Sequence, residues 1–161
     1  MNQPMNKPKV IIEFSSSVAT ARMSPKLQQV LEEAKRIAQD HCSASVSLIH
    51  LFLAMMNVNC KAFLVISEIC GAEERVSALR RTVARNLPKG IGKKSIQDDL
   101  PFDSELKAAL SAAMECGNAP ITSALVLILM CDYHLCPEMA IILERHSFNQ
   151  RVVTGVVGQM E

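Results

Sequence analysis

Apolar residues recur at helical spacing along most of the chain. Ser24 is a capping residue type, and Pro25 suits a first helical position. Behind them Leu27, Val30, Leu31, Ala34, Ile37 and Ala38 fall on one face, while Lys26, Gln28, Glu32, Glu33, Lys35 and Arg36 fall mostly on the other. The spacing predicts an amphipathic helix to about Asp40, with a polar turn over residues 41–44. Residues 46–55 open with the capping Ser47 and run straight into an apolar block, which predicts a second helix to about Asn57. Ala62, Phe63, Ile66 and Ile69 predict a short third helix stopped by Gly71. Val76, Leu79 and Val83 predict a fourth from Glu73 to Asn86.

The periodicity then breaks. Residues 87–101 contain Pro88, Gly90, Gly92 and Pro101, which disfavour regular structure. Beyond them the pattern restarts. Asp103 or Ser104 caps a helix carrying Leu106, Ala109, Leu110 and Ala113, and Thr122 caps a second apolar block over residues 121–130. Pro137 starts a short helix with Ala140, Ile141 and Ile142. Val152, Val153, Val156 and Val157, interrupted by glycine, make a last segment of poor helix propensity that packing must hold.

The second half echoes the first. Leu27 and Leu31 match Leu106 and Leu110 at an offset of 79 residues, and Val46 matches Ile121 at 75. The second copy has lost four residues between its first two helices. That is close to one helical turn and keeps the apolar face in register. The expected fold is all-α, with two pseudo-symmetric four-helix repeats packed into one globular domain. Repeat one covers residues 23–87, a linker 88–101, and repeat two 102–158. Residues 1–22 are expected to be a flexible arm, in which Val10 to Phe14 is the apolar exception.

Composition narrows the class. Hydrophobic residues make up 49% of 161, enough for a real core. Aromatic residues make up only 4% against nine Met, so that core should be aliphatic. A net charge of +1 supplies no global field for nucleic acid or membrane. No apolar run reaches the ~18 residues of a membrane span. The polar start lacks an export signal, so the six cysteines are expected reduced, in the cytoplasm.

The two-copy pattern resembles the Clp N-terminal domain, the double Clp repeat of the Clp AAA+ unfoldases. Ser24-x-x-Leu27, Val30-Leu31-x-x-Ala34 and Ala38 are similar to that family's first helix. Val46-Ser47-Leu48-Ile49-His50-Leu51-Phe52-Leu53-Ala54-Met55 resembles its V-S-x-E-H-L-L-L-A-L signature, and Ile69-Cys70-Gly71 its L-G-V turn. In unit two Leu125 replaces the signature histidine. The resemblance implies a domain tethered to, or associated with, an AAA+ ATPase ring, binding protein substrates or adaptors. In the branch that reads arginine phosphate, a Glu before the histidine holds the guanidinium. Here that place is Ile49 in unit one and Ala124 in unit two, so another ligand is implied.

Other chemistry finds little support. Residues 90–95 mimic a phosphate loop, but Leu87 stands where its first Gly belongs and Lys94 where Ser or Thr must follow the Lys. Cys131, His134 and Cys136 offer soft metal ligands without the second pair that zinc sites show. No nucleophile motif surrounds a cysteine. His50, three residues after Ser47, suits a hydrogen bond that fixes the helix start. Between Glu74 and Asp98 the chain carries cations only, with Arg80, Arg81 and Arg85 as a patch for an acidic protein segment; no aromatic residue is interleaved for base stacking.

The reading is a non-catalytic protein-binding module, with neither metal nor cofactor. Partner contact is expected in grooves at the two second-helix starts, at Ser47, Leu48 and Ile49 and at Thr122, Ser123 and Ala124. A stand-alone accessory stabilising a Clp protease complex, or a metal-dependent enzyme built on the Cys131 cluster, are the alternatives.

Overall fold

The computed structural model describes residues 16–90 and 100–160. Nine helices occur among them: α1 (Ser16–Arg22), α2 (Pro25–Asp40), α3 (Leu48–Asn57), α4 (Lys61–Cys70), α5 (Glu73–Ala84), α6 (Ser104–Glu115), α7 (Ser123–Met130), α8 (Pro137–Glu144) and α9 (Gln150–Gln159). The chain is all-α. Helices α2–α5 and α6–α9 are the two four-helix repeats, and their matching helices start alike. Ser24 accepts the Leu27 N–H and Asp103 the Leu106 N–H; Ser47 accepts the His50 N–H and Thr122 the Leu125 N–H.

The repeats interlock through main-chain bonds. The Ser24 N–H donates to the Ile121 carbonyl at 2.8 Å, and the Ile121 N–H donates to the Arg22 carbonyl at 2.8 Å. At the equivalent place in the other half, the Asp103 N–H donates to the Val46 carbonyl at 2.9 Å, and the Val46 N–H to the Pro101 carbonyl at 2.8 Å. These are two isolated parallel bridges, Met23 with Ile121 and Val46 with Phe102. Each repeat's first helix therefore begins beside the other repeat's second helix. Extended cap residues leave an N–H and a C=O free on either side, and pairing them across the halves satisfies groups that burial would otherwise orphan. One continuous core results, running from Leu27, Leu31 and Phe52 to Leu106, Leu127, Phe148 and Val153.

One region differs from the sequence expectation, and the linker and the tail gain detail. Ser16–Arg22, assigned to the arm, form α1. Ala19 and Met23 are buried, and the Arg22 guanidinium donates to the carbonyls of Met114 (3.1 Å) in the last turn of α6 and of Ala119 (3.3 Å) and Gly117 beyond it. An arginine that satisfies helix-end carbonyls is invisible to periodicity. The linker is anchored at both ends. Gly90 sits so close to the α2–α3 turn that a Cβ would lie 2.5 Å from the His41 carbonyl oxygen, and Leu100 is buried. The valine-rich tail is helical, capped by Asn149 and held by the buried Val153. Val10 to Phe14 and Ile91 to Asp99 lie outside the described residues.

Among the described residues no single helix is long and apolar enough to cross a membrane. α3 and α4 together reach the composition, but they meet at 85° and their apolar side chains largely build the core.

Candidate functional site

The start of α3 is built around a buried histidine. His50 is fully buried, and its Nδ1 accepts the Ser47 backbone N–H at 2.9 Å. That places the ring proton on Nε2, which lies 3.1 Å from the Ser43 hydroxyl. With Ser47 accepting the His50 N–H, the pair forms a capping box in which histidine takes the usual Glu or Gln role. Burial, helped by the nearby His41, pushes the imidazole down to about 4. The ring is neutral and its nitrogens are occupied, so it holds the turn and is withdrawn from solvent.

Beside this turn lies a groove of about 340 Å³. Ser47, Leu48 and Ile49 supply one wall, and the start of α6 supplies the other with Asp103, Ser104 and Glu105. Met139 and Glu138 from α8 close one side. The interlocked bridges bring these elements together. Apolar atoms of Leu48, Ile49 and Met139 meet three carboxylates. Burial pushes the Asp103 carboxyl up, against the pull of the Leu106 and Glu105 backbone N–H groups, and Glu138 adds to the rise. Burial likewise raises Glu105, reinforced by the charges of Glu138 and Asp103, while the Glu138 backbone N–H pulls it down. The groove is thus a region of negative potential over an apolar floor.

The second expected groove is closed. Ser123 and Ala124 are 3% and 2% exposed. The Ser123 hydroxyl accepts the Ala62 N–H at 3.0 Å, across the two repeats. Cys60, the cap residue of α4, makes no side-chain cap of its own, so Ser123 supplies it. A buried N–H must find an acceptor, and this need draws α4 over the start of α7. Only Thr122 stays partly accessible there. In unit one, Ser47 and Leu48 are buried too, and Ile49 is the half-buried member that a partner can reach.

The arginine patch is divided. Arg80 donates to the Asn57 side-chain oxygen at 2.8 Å and to the Met56 carbonyl at 3.3 Å, tying α5 to the end of α3. Arg81 and Arg85 are exposed. Cys131 and Cys136 are buried and their thiols are pushed up to about 12, chiefly by desolvation. His134 is exposed on the α7–α8 loop. A metal would need thiolates that this environment disfavours, and among the described residues no three His, Cys, Asp or Glu side chains are grouped to hold an ion.

Asp103, Glu105, Glu138 and Met139 belong to the groove but were not singled out from the sequence as binding residues. In the sequence Asp103 reads as a helix cap, and nothing in the local pattern marks Glu105, Glu138 or Met139. Only the crossing of the repeats turns them toward Ile49.

Duplicated four-helix units, interlocked at their helix starts, define a class of helical repeat domain. The family model of the Clp repeat (R) N-terminal domain matches residues 22–128, and the chain belongs to that family. No curated protein matches it in sequence. Several solved structures share the fold. The N-domain of ClpV from Vibrio cholerae is 15% identical, covers 94% of this chain and 95% of its own, and has a TM-score of 0.63. The N-terminal domain of the ClpV1 ATPase from E. coli EAEC is 18% identical, with 88% and 86% covered and a TM-score of 0.62. A ClpV N-domain in complex with a VipB peptide is 14% identical, with 79% and 77% covered and a TM-score of 0.61.

Proposed function

We propose that this Clp repeat domain is a non-catalytic module that binds a segment of a partner protein and delivers it to an AAA+ ATPase ring in the cytoplasm. The observation that carries the reading is the groove between the α3 and α6 starts, where both repeats contribute walls. Family membership supports the class of function, and the likeness to a ClpV N-domain solved with a VipB peptide supports a peptide as ligand. An apolar floor around Ile49, rimmed by carboxylates, suits an amphipathic or extended segment with apolar anchors. Absence of catalysis is supported by the chemistry: His50 is neutral and fully bonded, and the Cys131 and Cys136 thiols are held far above neutrality.

The test is a peptide array from co-purifying proteins, followed by titration of the best binder. Ile49→Glu adds a fourth carboxylate to the groove. It should weaken a captured peptide by at least about tenfold, as loss of an apolar anchor does. Full-strength binding by the variant would remove this groove as the contact, and failure to capture any peptide would count against the function itself.

A further inference from the structure

A second cavity, of about 370 Å³, lies where the turn after α4 meets the turn after α8. These turns are equivalents in the two repeats. The cavity shares no residue with the groove at α3. Ile69, Cys70 and Ala78 give it apolar walls, while Arg75, His146 and Ser147 give it polar ones.

Its charge is one-sided. Arg75 is exposed, and none of the ion pairs among the described residues involves it. Its charge acts on the Cys70 thiol, against the desolvation that raises that group. No acid lines the cavity. His146 is held by a directed chain. The Thr82 hydroxyl donates to the Ala78 carbonyl at 3.1 Å, so its oxygen must accept from His146 Nε2, 3.0 Å away. The ring is therefore oriented, with Nδ1 as its remaining nitrogen. Ser147 has φ 71, a conformation that non-glycine residues seldom take. Repeat one places Gly71 (φ 78) at this turn. Repeat two accepts the strain of a side chain there, and Ser147 lines the cavity.

We propose that this cavity is an oxyanion site, which takes a carboxylate or phosphate group on a short apolar stem. The guanidinium supplies paired donors to the oxyanion, the Ser147 hydroxyl adds a third, and Ile69 and Ala78 pack the stem.

The whole chain, labelled with nitrogen-15, is titrated separately with inorganic phosphate and with butyrate while amide shifts are followed. Saturable shifts at Arg75, Ala78, His146 and Ser147 are expected in at least one titration; the ligand that saturates first identifies the oxyanion. Arg75→Gln should weaken that binding by at least about tenfold, because a charge-assisted bidentate contact is lost. Lys107→Gln, an exposed cation of α6 outside the cavity, should leave it unchanged. No saturable shift with either ligand up to tens of millimolar, on the order of the weakest specific binding worth naming, overturns the site. Equal weakening by both variants also overturns it, since general charge attraction then accounts for the shifts.

Discussion

At the scale of single residues, His50 shows how a polar side chain in an apolar helix can be structural. Its imidazole is pushed from 6.5 to about 4, first by burial and then by His41. A base with a depressed folded value leaves stability intact above its unfolded value. As pH falls through 6.5 the unfolded chain takes up a proton that the folded one refuses, so stability is lost down to about pH 4. The full loss is about 3 kcal/mol. Urea midpoints measured between pH 7 and pH 4 should fall accordingly. His50→Gln keeps a capping-box residue type without a titrating ring, and its profile should lack that component. Asp103 and Glu105 are raised by burial and push the other way on acidification, so the difference between the two profiles isolates His50. An unchanged profile in the variant would show that the pH dependence lies elsewhere.

At the scale of elements, the starts of α4 and α8 are finished by side chains from other helices, in one case from the other repeat. Ser123 caps α4 from the start of α7, and the Glu138 backbone N–H at the start of α8 meets the Glu105 carboxylate from α6. These two contacts occupy equivalent places with different chemistry. On one side a small hydroxyl lets the helices close over each other; on the other a longer acid leaves the groove open. Ser123→Ala should leave the Ala62 N–H buried without its acceptor and destabilise the chain by about 1–2 kcal/mol. Chemical denaturation checks this, and hydrogen exchange should show faster opening at the start of α4. A change within error would mean that another acceptor replaces the hydroxyl.

At the scale of the molecule, the two bridges and the shared core make each repeat depend on the other. Residues 23–87 alone would lose the partners of the Ser24 and Val46 N–H groups and expose the apolar faces of α3 and α4. That fragment is expected to show no cooperative melt by circular dichroism, whereas the whole chain should unfold in one transition. A fragment that melted cooperatively would mean that the interlocking is not required.

The sequence by itself determined the helices and their repetition. The i, i+3, i+4 spacing of Leu27 to Ala38, the caps Ser24, Ser47, Asp103 and Thr122, and the matched offsets are local facts, and local hydrogen bonds and amphipathic faces are what they specify. The apolar residue at Ile49, where one branch of the family carries an acid, was legible in the same way. The tertiary structure alone decided which of the two equivalent helix starts is open. It closed the one at Ser123 because a buried Ala62 N–H required an acceptor there. It opened the one at Ile49 because α6 and α8 bring Asp103, Glu105 and Glu138 against it. It also turned Ser16–Arg22 into a helix through contacts of Arg22 with carbonyls more than ninety residues away. Such pairings depend on which chain segments cross in space, and periodicity along the chain carries no record of that crossing.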